Sequence, residues 1–184
     1  MIVRLPFVLG ALFIALAVHV ASVLSMPLLT SNDLHARLAP RLPANEVVLL
    51  SADQVEGLKL PFFDNAFEAG VCRYELSGGV LRLRAPVAET LLLVTLVAKG
   101  GSVYFTVTDR AAIKDTVEVL IGTDQQIGQI ENADQEDVPV GELRVRAPSS
   151  EGVAVIRAFA PSPSMRARAA MTISQATCQI ETLN

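Results

Sequence analysis

Apolar and polar positions follow two different patterns along this chain. Between residues 5 and 32 there is no Asp, Glu, Lys or Arg, and residues 5–24 are almost wholly apolar. Twenty helical residues rise about 30 Å, the thickness of a bilayer's hydrocarbon core. From residue 71 onward the pattern becomes alternation with period two, broken by short apolar runs, which is the mark of strands. Residues 71–77 place Cys72, Tyr74 and Leu76 on one face and Arg73 and Glu75 on the other. Gly78-Gly79 reads as a two-residue hairpin turn into 80–85, where Arg82 and Arg84 point outward. Residues 90–99 form a continuous apolar run closed by a second hairpin signal, Gly100-Gly101.

Strands are expected next at 102–109 and 116–123, then a polar, acidic loop or surface helix at 124–137. Residues 141–147 and 153–160 read as a second pair of strands. The run 165–178 lacks Gly and Pro and reads as a closing helix. Upstream, 46–51 is a short apolar run and 53–67 is irregular. The stretch 27–45 carries three prolines and reads as a linker. It has room for a short helix near 32–38, capped by Ser31, Asn32 or Asp33. The expected organisation is a membrane anchor at 1–26, a linker at 27–45 and a β domain at 46–184. The fold class is mainly β, an antiparallel sandwich with a C-terminal helix, preceded by one N-terminal transmembrane helix.

The apolar run has a rival reading as a signal peptide, whose apolar core usually spans about 7–15 residues. This run is longer, and Val23-Leu24-Ser25 fits a cleavage site poorly, so a retained anchor is expected. His19 inside the span reads as a tolerated neutral residue. Basic residues on the two sides nearly balance. A signal-anchor that exports the chain downstream of it places the N-terminus in the cytoplasm and the β domain in the periplasm, at a cell inner membrane.

Residues 79–98 and 141–160 match at eight of twenty positions, including Arg82/Arg144, Arg84/Arg146 and Pro86/Pro148. Each copy is an alternating strand, a Pro-led turn and an apolar strand. The plain reading is two similar hairpins in a sandwich; the sharper one is a pseudo-symmetric pair presenting four arginines on one surface.

Charge narrows the partners. Arg4 aside, fourteen basic residues face nineteen acidic ones, a net charge of −5 after the span, which offers no basic stripe for nucleic acid. Cys72 and Cys178 lie in no metal-binding spacing. They read either as a disulfide, if the domain is exported, or as two separately buried thiols.

Histidine occurs only at positions 19 and 35, so a histidine-based triad or metal site within the β domain is not available. No phosphate loop, dinucleotide fingerprint, nucleophile elbow or zinc-protease motif occurs. Glu131, Asp134, Glu136 and Asp137 lack the ligand spacing of a calcium loop. Asp64, Glu68, Glu75 and Asp109 offer carboxylates, but no spacing selects a pair. No cofactor, metal or catalytic set is therefore expected. Asp109-Arg110, after an apolar strand, sits where binding groups collect or where a turn is capped.

The series VCRYELSGGVLRLRAP, a long apolar strand, VYFTVTDRAA and GELRVRAPSSEGVAVIRAF resembles the bacterial domain of unknown function 1254 family. It is most similar to the family's short members, which begin with a membrane span. The resemblance covers residues 65–178. It implies a β-sandwich of jelly-roll-like character and no catalytic residues. It also marks Arg73, Tyr74, Asp109 and Arg110 as candidate ligand or partner residues. Larger relatives join this domain to one of unknown function 1214 type, so the resemblance implies a partner supplying a second β domain. The expected function is a non-catalytic, partner- or ligand-binding envelope protein; the alternative is a subunit, non-catalytic or hydrolytic, that completes a site with such a partner.

Overall fold

The computed structural model describes residues 4–29, 33–58, 64–87, 90–133 and 142–183. Contacts divide the chain into two units, Met1–Asn32 and Asp33–Asn184. The first is helix α1 (Arg4–Leu29). Within it, the 21 residues Pro6–Met26 are long and apolar enough to cross a membrane, a test that a signal sequence also passes.

The second unit runs α2 (Leu34–Leu38), β1 (Val47–Leu49), α3 (Ala52–Leu58), β2 (Phe67–Glu75), β3 (Val80–Pro86), β4 (Leu92–Ala98) and β5 (Val103–Thr108). It continues through β6 (Thr116–Gly122), α4 (Asp124–Ala133), β7 (Glu142–Arg146), β8 (Glu151–Phe159), α5 (Pro163–Ser174) and β9 (Thr177–Glu181). The first sheet has the order β1-β2-β8-β4-β5 and is antiparallel throughout. The second has the order β7-β6-β3-β9, antiparallel except for the parallel pair β6–β7.

The apolar runs of β4 and β8 have a physical reason in this arrangement. Val94, Leu96, Ala154 and Ile156 face Leu81, Leu83, Val119 and Ile121 of the second sheet across the main core. Val97, Val153 and Val155 project from the other face and are covered by Leu38 of α2 and by Leu50. Strands buried on both faces lose the polar alternation that a half-exposed strand keeps. Leu38 is fully buried, so packing begins within the stretch that reads as a linker. Asp33 caps α2, its carboxylate accepting the Ala36 N–H at 2.7 Å. Ser31 and Asn32 lie outside the described residues.

Three local readings give way to tertiary pairing. Gly78-Gly79 does not close a hairpin: Leu76–Gly78 forms a 3-10 turn that carries the chain from the first sheet to the second. Leu76 is buried there, and Gln126 of α4 donates to the Leu76 and Gly79 carbonyls at 2.9 and 3.1 Å. β2 instead pairs with β8 over nine residues, and β3 with β6 over six. Likewise β7 and β8 lie in different sheets rather than forming a pair. The closing helix ends at Ser174, and Thr177–Glu181 becomes β9, zipped to β3. By contrast, Gly100-Gly101 does join paired strands, both glycines at positive φ as such turns demand. Two helices are announced by capping boxes: Ser51 with Gln54 starts α3, within the stretch that reads as irregular, and Thr123 with Gln126 starts α4. Residues 59–63 and 134–141, which include Asp134, Glu136 and Asp137, lie outside the described residues.

The internal echo becomes a local two-fold relation. In each copy a strand of the second sheet (β3, β7) is followed by a strand of the first (β4, β8). β4 and β8 pair antiparallel about Val94↔Ile156, which are equivalent positions in the two copies. The equivalent residues Arg82 and Arg144 flank Leu120 of β6 on either side.

Candidate functional site

The four residues singled out by the family pattern do not converge. Tyr74 is fully buried, and its hydroxyl meets that of Tyr104 at 2.9 Å. Burial pushes the Tyr74 phenol up despite the hydrogen bond from Tyr104, and burial together with Tyr74 pushes Tyr104 up, so both stay neutral. Arg73 is half-buried on the opposite face of β2. Asp109 and Arg110 occupy a 3-10 turn after β5, where Thr108 is the capping residue, accepting the Arg110 N–H at 3.4 Å. Register places Tyr74 beside Gly152 and Ala98, whereas Thr108 lies beside Leu93. Those levels are five residues apart, about 17 Å along the strands.

A small ionic cluster does form around Glu151. Lys99 Nζ lies 2.8 Å from its Oε2, and Nε2 of the buried His35 lies 3.6 Å away, beyond hydrogen-bond reach. The Lys99 contact, with His35 and Arg73 nearby, holds the Glu151 carboxyl below the usual range.

The more developed site is on the outer face of the second sheet. Alternation turns Leu83 and Val145 into the core, so Arg82, Arg84, Arg144 and Arg146 all project outward, as the sharper reading of the echo expects. The sequence did not reveal their partners, which come from β6, β9, β7 itself and α4. Arg82 Nη1 binds Glu118 and, at 2.7 Å, Glu142 Oε2; its Nε donates to Glu181 at 2.5 Å. Arg144 Nε donates to Glu142 at 2.8 Å, and Arg84 to Glu118 at 3.1 Å. Arg146 reaches Glu131 and Asp124 of α4. Glu142 and Arg144 are 5% and 9% exposed, so this pair is essentially removed from water.

Around these charges lies an open groove of about 300 Å³. Val80 and Leu120 line it with the arginines, Ile130 of α4 borders it, and the C-terminal residues Thr182 and Leu183 complete it. Hydrogen bonding to Glu181 raises the Arg82 guanidinium further above its already high value. Burial alone would raise Glu118, but hydrogen bonds from Arg82 and Arg84 outweigh it and hold the carboxyl down.

The depressed carboxyls make stability depend on pH with a definite sign. A group held below its unfolded value stabilises above that value and ceases to as pH falls through the folded one. Stability therefore declines as pH drops below about 4.5, the ordinary glutamate range. Glu118→Gln flattens that acid limb in thermal melts from pH 2 to 7; an unchanged limb counts against the role given to Glu118.

No family model matches the chain, and no curated protein matches it. The fold is similar to the VPA0106 protein of Vibrio parahaemolyticus, with a TM-score of 0.55 at 14% identity, covering 79% of this chain and 32% of that one. An uncharacterised protein from Burkholderia cenocepacia aligns with a TM-score of 0.46 at 15% identity, over 70% of this chain and 34% of that one. The chain thus spans about a third of each of these proteins. The likeness to the Vibrio protein is one of fold.

Proposed function

We propose that the chain is a single-pass protein of a bacterial inner membrane whose β-sandwich lies in the periplasm and binds a protein partner, without catalysis of its own. The observation that carries this reading is β5. It is an edge strand of six residues, VYFTVT, with no charge and no proline, and Val103 is 61% exposed. The other edges are protected: β1 is three residues long, and β7 and β9 carry charged side chains. A bare edge offers its main-chain N–H and C=O groups to an added strand.

The apolar α1 supports anchoring. The Cys72–Cys178 disulfide supports export, since such bridges persist in oxidising compartments. The proposal keeps the chain among the short members of the domain of unknown function 1254 family. A second reading is that the partner is a separately encoded β domain of unknown function 1214 type and that the pair completes a site, non-catalytic or hydrolytic. What favours it is that a related fold occupies only a third of the Vibrio protein.

The test uses a photo-reactive residue at Val103 in the full chain in its native membrane. One discrete protein is crosslinked there, and none from Met171 on α5, which is equally exposed. Thr106→Lys, at an exposed position of β5, lowers the yield at least about tenfold with Tm unchanged. Equal labelling from Met171, a crosslink that survives Thr106→Lys, or a crosslink only to a second copy of this chain overturns the reading.

A further inference from the structure

The groove on the second sheet holds charges that are unequally secured. Glu142 is gripped by Arg82 and Arg144, and Glu118 by Arg82 and Arg84. Among the described residues Glu181 has Arg82 alone; it is 47% exposed and is the last residue of β9. It also uses the guanidinium incompletely. Nε and Nη2 form one side of the arginine fork, and Glu181 meets only Nε; among the described residues no carboxylate meets Nη2. A carboxylate that engages both donors in parallel gains geometry and strength over one that engages a single donor.

Beside this half-used fork the groove is lined by Leu120, Ile130 and Leu183 as well as by the paired Glu142 and Arg144. Leu120, itself buried, forms part of its floor; Ile130 is half-exposed and Leu183 is 37% exposed, so a small hydrocarbon body against these two would cover surface now in water. A volume of about 300 Å³ is at the small end of ligand sites.

We propose that this groove binds a small amphipathic monocarboxylate, whose carboxylate takes the Arg82 Nε–Nη2 fork from Glu181 while its apolar body lies against Leu120, Ile130 and Leu183. The site is on the opposite sheet from β5 and stands independently of the partner reading.

The probe is hexanoate, titrated into the full chain in zwitterionic nanodiscs and followed by methyl NMR, with hexanamide as the uncharged control. Ile130 and Leu183 methyl signals shift saturably with hexanoate, and hexanamide binds at least tenfold more weakly. Glu181→Gln, which removes the competing charge but keeps the side chain's shape, tightens hexanoate about five- to tenfold. Ile130→Asp, on the exposed side of α4, weakens it by a similar factor. Should Glu181→Gln lower Tm, the wild-type comparison of hexanoate with hexanamide still decides. No saturable shift at millimolar hexanoate, or equal binding of the amide, overturns the proposal.

Discussion

Replacing Cys72 and Cys178 together by alanine lowers Tm by about 8–20 °C. The bridge joins β2 of the first sheet to β9 of the second and closes a separation of 106 residues. In the chain-entropy account, a loop of that size restrains the unfolded chain by roughly 4–5 kcal/mol. For a domain of this length each kcal/mol moves Tm by about 2–4 °C. The two sulfurs are buried, so little of the effect comes from solvent exposure. The bridge also ties down the last strand, whose pairing lies along β3 from Arg84 to Val80. A thiol reductant should reproduce the shift in the wild type and leave the double alanine variant unmoved. A shift below about 3 °C in calorimetry, or no response to reductant, would sink this account.

Gly152→Ala is the second large effect, expected at about 3 kcal/mol and a fall in Tm of about 6–12 °C. Gly152 lies on β8 directly beside Tyr74, whose ring crosses the strand to reach Tyr104 on β5. A Cβ at 152 would overlap the Tyr74 hydroxyl and ring and the Val97 carbonyl oxygen. A flexible side chain could swing aside, but Val97 is backbone in the neighbouring strand and Tyr74 is fully enclosed. Relief therefore requires opening the β4–β8 ladder or expelling the tyrosine. Tyr74→Phe is milder, at roughly 1–3 kcal/mol, because it only strips the part-buried Tyr104 hydroxyl of its partner. If Gly152→Ala melts within a degree of the wild type, the close approach is not what fixes glycine here.

The sequence showed the arginines of the candidate site but not the site itself. Arg82, Arg84, Arg144 and Arg146 are visible in an echo with a 62-residue offset, and alternation assigns them one face. Glu118, Glu142 and Glu181 could not be assigned to them, because β6, β7 and β9 lie beside β3 or one strand beyond it only once the sheet is assembled. Tyr74 illustrates the opposite case. Alternation put it on the face of Cys72 and Leu76, which is the core, where it packs against Gly152.

What the sequence determined by itself was everything set by local periodicity and composition. The apolar length of α1, the positions of β2 to β8 and the Gly100-Gly101 turn all depend on neighbours within a few residues, whereas the choice of Asp33 among three candidate caps did not. Only the tertiary structure decided which strands pair. Gly78-Gly79 reads locally as a hairpin, yet β2 and β3 gain more from β8 and β6, and the turn becomes a corner between sheets. Thr177 and Cys178, which read as the end of the closing helix, become strand because β3 offers an open edge and Cys72 a sulfur. The physical reason is the same in each case. Pairing and burial are satisfied by residues distant in the chain, and their free energy exceeds the small differences among local conformations.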